Sequence, residues 1–380
     1  MKKFLSALLA AVLAFCAAGC GAAPAETKTS GDVLPGTDLQ KLSSMELAYA
    51  DQFAVDYYED GYKLLSVSNG DRFLLVPEGK DVPEGLDASV KVLRAPVTDL
   101  YMASSSAMAL FDAMDSLDVI RFSATQANGW YVENAAKAMQ EGRILFAGKY
   151  SEPDYEALLE GSCGLAVENT MLLHSPKVKD MIEQLGIPVL VEYSSYESHP
   201  LGRTEWIRFY GALLDREEQA DAYFETEAAK VRALEGMEST GKSIGFFYLS
   251  ASGRAVVYSG NSYIASMVRE AGGEYIFDGV TDEDSSRSSV NITLEDFFAR
   301  AADADYLVYN ASIDEPVSTL EELIAKNAVL ADLKAVKEGN VWCTGKYMYQ
   351  ATDIIGSLVL DLHKVLTDDP EGMAFLYQLH

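Results

Sequence analysis

The hydrophobic positions along the chain change period in a regular way. Between residues 53 and 76 they alternate: Phe53, Val55 and Tyr57, then Tyr62, Leu64 and Val67, then the run 72–76. Asp60-Gly61 and Asn69-Gly70 stand between the runs, and Asx-Gly pairs favour the positive φ of hairpin turns, so the pattern predicts an antiparallel β appendage leading into a first lobe. Beyond it, strand-like runs (90–93, 144–146, 164–167, 188–191) alternate with helical ones (106–114, 153–160, 176–185). After Gly236 the alternation resumes, with strands at 243–248, 306–309 and 341–343 and helices at 264–271, 294–301, 320–325 and 353–366. Strand, turn, helix, strand is the signature of a mostly parallel sheet covered by helices. Between the halves, Ala220, Tyr223, Phe224, Ala228, Val231 and Leu234 recur at helical spacing from Arg216 until Gly236 stops them, and Pro200 and Gly202 are expected to break the chain just before. The expected fold class is α/β, two Rossmann-like lobes bridged by a single long helix. A helix packed on both halves would limit them to a modest rocking.

Residues 1–19 carry Lys2 and Lys3, an apolar run over 4–18 and then small residues, the form of a secretory signal too short to span a bilayer comfortably. Ala17-Ala18-Gly19-Cys20 resembles the bacterial lipobox, in which cleavage precedes the cysteine and its thiol is acylated. Cys20 is therefore the expected lipidation site, residues 20–38 a flexible tether rich in small and polar residues, and the mature protein extracytoplasmic and anchored to the cell membrane. The remaining boundaries are 39–215 for an N-terminal lobe, 216–236 for the interlobe helix and 237–380 for a C-terminal lobe. Roughly 340 residues follow the tether, enough for two domains with real cores.

Charge narrows the partners. The net charge is −28, and −30 once Lys2 and Lys3 leave with the signal, which repels nucleic acid and anionic headgroups. Cys163 and Cys343 fall in different halves and are expected as buried thiols, without a disulfide or zinc framework. A monomer is expected.

Zinc-hydrolase and dithiol signatures are missing: the chain has no H-E-x-x-H or C-x-x-C, and His174, His199, His363 and His380 are scattered. No catalytic residue, metal site or cofactor is assigned. The connections after the strands instead hold aromatics and cations: Tyr101, Trp130, Tyr131, Tyr193 and Tyr196 in the first half, and Arg254, Tyr263, Arg287, Lys346 and Tyr347 in the second. Loops at the carboxyl ends of parallel strands are where such sheets bind ligands, and this set suits a large, flat or chelated molecule held by stacking and ion pairing. Each residue singly reads as well as a packed aromatic or a solvated charge.

The segments HPLGRTEWIRFYGALLDREEQADAYF after LGIPVLVEY, then MVREAGGEYIF, SVNITLEDFFARAADADYLVY and AVKEGNVWCTG, resemble the ferric-siderophore and cobalamin group of ABC-importer substrate-binding lipoproteins, from about residue 90 to 366. The resemblance implies a non-catalytic receptor that holds an iron chelate, a ferric siderophore first of all, between two lobes and delivers it to an ABC permease dimer. Haem or cobalamin as the ligand, or an extracytoplasmic enzyme acting on such chelates, are the alternatives. It also implies one glutamate per lobe that docks on permease arginines; the matching positions are Glu156 in DYEALLEGSCGLAV and Glu295 in TLEDFFARAADADYLV. Around Glu156 the pattern departs, with Gly-Ser-Cys-Gly where Pro-Asp is usual.

Overall fold

The computed structural model describes residues 33–281, 288–312 and 314–380; the signal run, Cys20, most of the tether and Arg287 fall outside the described residues. An N-terminal sheet has strand order β1 (Lys41–Ser44), β2 (Phe53–Tyr58), β3 (Lys63–Val67), β4 (Arg72–Val76), β5 (Val90–Arg94). The first four are antiparallel neighbours, but β5 runs parallel to β4, so the strand expected to open the first lobe pairs instead with this sheet.

The first lobe is a wholly parallel sheet. It contains β6 (Leu100–Met102), β7 (Ile120–Ser123), β8 (Leu145–Phe146), β11 (Ala166–Asn169) and β12 (Val189–Glu192), in the order β12-β11-β6-β7-β8. A small hairpin, β9 (Gly148–Lys149) and β10 (Glu152–Pro153), follows β8. Helices α1 (Ser105–Ala113), α2 (Glu133–Gln140), α3 (Tyr155–Glu160) and α4 (Pro176–Gln184) connect the strands.

The chain then makes two helices, α5 (Pro200–Leu214) and α6 (Glu217–Arg232), separated by Asp215 in the left-handed region (φ 56°), which a short polar side chain tolerates. Pro200 and Gly202 were expected to interrupt the chain here; Pro200 instead opens α5, where its missing N–H costs nothing, and Gly202 lies within the first turn. A Cβ on Gly202 would come within 3.1 Å of Tyr49 O and 3.3 Å of Ala50 Cα. At Gly211 a Cβ would come within 2.6 Å of Ala220 Cβ, so this glycine lets α5 and α6 close on each other.

The second lobe has order β16-β14-β13-β17-β18-β19, built from β13 (Ser243–Leu249), β14 (Ala255–Tyr258), β16 (Ser289–Ile292), β17 (Tyr306–Tyr309), β18 (Val341–Thr344) and β19 (Leu376–Gln378). A short β15 (Glu274–Tyr275) also pairs with β13. β13, β15, β17 and β18 are parallel; β14 and β19 run against their neighbours. Its helices are α7 (Tyr263–Glu270), α8 (Leu294–Ala301), α9 (Leu320–Lys326), α10 (Lys334–Glu338) and α11 (Ile355–Leu366). The protein is thus a two-lobed α/β molecule.

The course of α5 can be followed by its bonds. At its start His199 Nε2 lies 3.5 Å from Glu270 at the end of α7, and beyond its far end Arg216 donates to Ser116 Oγ (2.7 Å) and Asp115 O (2.8 Å), past the end of α1. Between them Thr204 Oγ1 donates to Thr352 O at 2.8 Å. So α5 touches both lobes, and α6 returns beside it to pack on α11.

The N-terminal segment 48–52 is fastened along the back of α5 by two buried carboxylates. Backbone N–H groups of Ala48, Tyr49 and Ala50 donate to Glu205 at 2.7–2.8 Å, and those of Asp51 and Gln52 to Glu197 at 2.9 and 3.1 Å, which also accepts from Trp206 Nε1 (2.9 Å). At the other end, Lys63 of β3 donates to Ala212 O (3.0 Å) and pairs with Asp215 and Glu217, so orphan carbonyl and charge are met together.

Candidate functional site

Connections that follow the carboxyl ends of the parallel strands meet between the lobes. Gln350, fully buried and six residues past β18, donates from Nε2 to Gly129 O and accepts from the Tyr131 N–H, both at 2.8 Å, in the connection after β7. Tyr131 and Tyr349 meet edge to face with centroids 6.4 Å apart. Thus the segments carrying Trp130 and Tyr347 face each other across the cleft, with α5 as its floor.

The floor is unusually short of internal partners. Glu192, at the end of β12, is satisfied: it accepts from Ser104 Oγ (3.0 Å), Ser106 Oγ (2.9 Å) and the Ser194 N–H (2.9 Å), which holds its carboxyl group at the amino end of α1. Beside it Ser194 Oγ and Tyr210 Oη are buried without a hydrogen-bond partner, as are Arg203 Nε on α5 and Asp353 Oδ1 in the connection after β18. Tyr210 feels the Glu192 charge, Arg203 lies two turns before Tyr210 on α5, and Asp353 follows the Thr352 that Thr204 holds. Orphaned buried polar atoms are rare in native folds, and these four are candidates to meet a polar ligand. Asp353 accepts from Tyr223 Oη (3.2 Å), and burial raises its carboxyl to about 7.

Two of the expected contact residues lie in the interior. Tyr101 is in strand β6, fully buried, with its hydroxyl donating to Gly148 O at 3.2 Å: three residues are too few to show a strand period in the sequence, and the ring fills the lobe core. Trp130 is buried as well, its indole N–H donating to Ser123 Oγ at 3.1 Å. Lys346 is at a strand end but ion-paired with Glu315 at 2.9 Å, and Arg254 sits in the exposed β13–β14 turn with Nη2 3.4 Å from Asn291 O. Arg287 lies outside the described residues. Tyr193 and Tyr196 form a tilted pair 5.2 Å apart after β12, Tyr347 is half-buried and stacked on Phe375, and Tyr131 is partly exposed.

Tyr263 was picked out for its ring; the structure adds Arg203, whose guanidinium carbon lies 4.1 Å from that ring's centroid. The sequence offered a signal for Arg203, an arginine inside an otherwise apolar helical run, but not its lack of a partner. Glu156 and Glu295 are both exposed, in the first turns of α3 and α8, one on each lobe. α3 starts where Asp154 N–H donates to Ala147 O (2.9 Å), just past the carboxyl end of β8. α8 starts past β16, which runs antiparallel to β14 and hence along β13. Both glutamates therefore sit at the carboxyl-end rim of their lobes. Cys163 and Cys343 are buried free thiols. Among the described residues no group of His, Cys, Asp and Glu is arranged to hold a metal ion, and no helix is long and apolar enough to cross a membrane.

Two α/β lobes with facing strand ends and a floor of unpartnered polar atoms define a solute-binding protein. The periplasmic binding protein family model matches residues 131–348, and the chain belongs to that family. It is 27% identical to an uncharacterized lipoprotein of Methanocaldococcus jannaschii, over 84% of this chain and 81% of the relative. Its fold is similar to the petrobactin-binding protein YclQ from Bacillus subtilis (TM-score 0.60, 12% identity, 81% of this chain and 99% of that one). It is also similar to the periplasmic heme-binding protein HutB of Vibrio cholerae (TM-score 0.57, 14% identity, 71% and 98%). The matched family is one of binding proteins, and this chain is a binding protein rather than an enzyme.

Proposed function

We propose that this protein is an extracytoplasmic, lipid-anchored receptor that captures an iron chelate, a ferric siderophore first of all, between its lobes and delivers it to an ABC importer permease. The observation that carries this reading is the cleft floor, where Arg203, Ser194, Tyr210 and Asp353 keep polar atoms unpaired between two lobes already in contact through Gln350. Such a site holds a polar ligand without needing to move a proton or form a bond. Glu156 and Glu295, exposed on equivalent rims, suit charge-assisted pairing with arginines on the two subunits of a permease dimer. Cys20 is the proposed point of acylation, in keeping with the relative described as a lipoprotein; mass spectrometry of membrane-extracted protein finding an unmodified Cys20 would exclude it.

The test of the receptor reading is thermal unfolding with ferric siderophores, haemin and cobalamin added in turn. A bound ligand at 100 times its Kd raises stability by about 2.7 kcal/mol without turnover. Stabilisation by a chelate together with its consumption would point to an enzyme; no stabilisation by any of them would remove the receptor reading.

A further inference from the structure

Among the described residues, the hydrogen bonds that join one lobe directly to the other are both made by one side chain. Gln350 Nε2 donates to Gly129 O and its Oε1 accepts from the Tyr131 N–H, each at 2.8 Å, and Nε2 also donates to Tyr349 Oη at 2.7 Å. No donor of the amide is spare, and turning it over would set its oxygen against the Gly129 carbonyl, so the network fixes its orientation. The two bonds bracket Trp130: the carbonyl before it and the N–H after it are met together, as a neighbouring parallel strand would meet them. The side chain of Gln350 stands in for that strand, and it is fully buried in doing so.

Both ends of this contact are anchored. On the first lobe Trp130 is buried, its indole N–H held by Ser123 Oγ at the end of β7. On the second, the N–H groups of Gln350 and Ala351 close a turn onto Tyr347 O (2.9 and 3.1 Å), and Thr352 O accepts from Thr204 of α5. β7 lies one strand from the β8 end of its sheet and β18 one strand from the β19 end, while β12 and the β14–β16 pair form the other ends. There the side chains bond within their own lobes: Tyr193 pairs with Tyr196, whose ring is exposed, and Arg254 reaches Asn291 O. The lobes are fastened at one flank and unfastened at the other.

We infer that Gln350 is a clasp that keeps the β7–β18 flank of the cleft shut before any ligand arrives, so that ligand enters and leaves by the β12–β14 flank. Gln350 is then a positioning residue: it sets the spacing of the two walls and leaves the ligand to other groups. The clasp is read in the empty protein, whereas the entry route rests on the receptor reading above. Two neutral hydrogen bonds together contribute a factor of roughly 10 to 100, and a site whose walls are set in advance loses less in ordering when it binds.

Amide exchange followed by mass spectrometry is run on ligand-free wild type and on Gln350→Met, an apolar side chain of similar length. The peptide carrying the Tyr131 N–H should be protected in wild type and exchange roughly 10- to 100-fold faster in Gln350→Met, with peptides from β11 and β13 unchanged. Binding kinetics are followed by intrinsic fluorescence with a ferric tri-hydroxamate, a ferric tris-catecholate and haemin. A probe that binds wild type should leave Gln350→Met roughly 10-fold faster, with an on-rate no lower than that of wild type. Entry is tested with Gln350 intact, in the double variant Tyr131→Cys with Tyr349→Cys, whose native rings lie 6.4 Å apart on the clasped flank; Cys163 and Cys343 are buried and leave the new pair to be joined. Oxidised, this variant should take up the probe as fast as it does reduced. Rapid exchange of the Tyr131 amide in wild type, unchanged dissociation from Gln350→Met, or an on-rate lost on oxidation and regained on reduction would each overturn the inference and leave the receptor reading standing. If Gln350→Met loses protection in β11 and β13 as well, it has unfolded, and the wild-type exchange and the oxidised pair decide. Failure of wild type to bind any of the probes would overturn the receptor reading and the entry route together.

Discussion

Glu168 gives the sharpest test of the packing argument, because the first lobe buries its carboxyl completely with neither oxygen hydrogen-bonded. It projects from β11 into the core with Tyr101 and Cys163, and burial pushes its pKa from 4.5 to about 8. Below pH 4.5 the group is protonated whether folded or unfolded and has no effect on the pH dependence. Between 4.5 and 8 the unfolded chain ionises while the folded one keeps its proton, so stability falls as pH rises, and above 8 the loss is complete. At about 1.36 kcal/mol per unit, the loss between pH 5 and pH 8 is roughly 3–4 kcal/mol. Glu168→Gln keeps the shape and removes the titration. Urea unfolding at constant ionic strength should find the variant within about 1 kcal/mol of wild type at pH 5 and about 3 kcal/mol more stable at pH 8. Glu197 and Asp353, both raised to about 7 by burial, add their own slopes to wild type and variant alike, so the difference isolates Glu168. Parallel stability curves from pH 5 to pH 8 would show that Glu168 is ionised in the folded protein and the argument wrong.

Two further outcomes follow from the same contacts. Glu205→Ala leaves three backbone N–H groups without their acceptor and takes from Arg208 one of its two carboxylates, Asp221 remaining, and should destabilise by about 3–5 kcal/mol in urea unfolding, whereas a change below about 1 kcal/mol would show the 48–50 segment to be held by other means. Glu156→Arg with Glu295→Arg should leave chelate affinity in solution unchanged and abolish cellular uptake; normal uptake, or an equal loss of binding, would contradict the docking role.

The period of the apolar positions made the alternation of strands and helices in both halves legible, since each long run reports its own face. What escaped were elements decided by distant partners. Leu100–Met102 is three residues long, too short to show a period, so Tyr101 read as a loop aromatic although it fills the core. The run at 90–94 has strand character wherever it goes, and only its pairing with β4 decides which sheet it joins. Pro200 and Gly202 read locally as a break, yet one is a helix start and the other answers to residues 49 and 50. The same holds for charge: Lys346 and Arg203 look alike in sequence, and what separates them is that Glu315 lies beside one and no acceptor beside the other.

That last difference is written into α5 by spacing. Arg203 and Glu205 are two residues apart, and side chains at i and i+2 lie on different faces of a helix and do not meet. Glu205 is held behind the helix by the backbone it anchors, and the cation at i+3, Arg208, takes its remaining capacity at 3.1 Å. Arg203 is left over the ring of Tyr263, 4.1 Å from its centroid, which contributes no charge. A desolvated cation–π contact contributes about 2 kcal/mol, less than the several kcal/mol that burying an unpaired charge costs. Arg203→Met should therefore be no less stable than wild type in the empty protein, whereas Tyr263→Leu, which keeps the charge and removes the ring, should destabilise by about 1–2 kcal/mol. The measurement is urea unfolding, run on both single variants and the double. A fall of more than about 1 kcal/mol in Arg203→Met would show that the guanidinium is stabilised where it lies; if the double variant changes by the sum of the two single changes, ring and charge act independently and the contact between them contributes nothing.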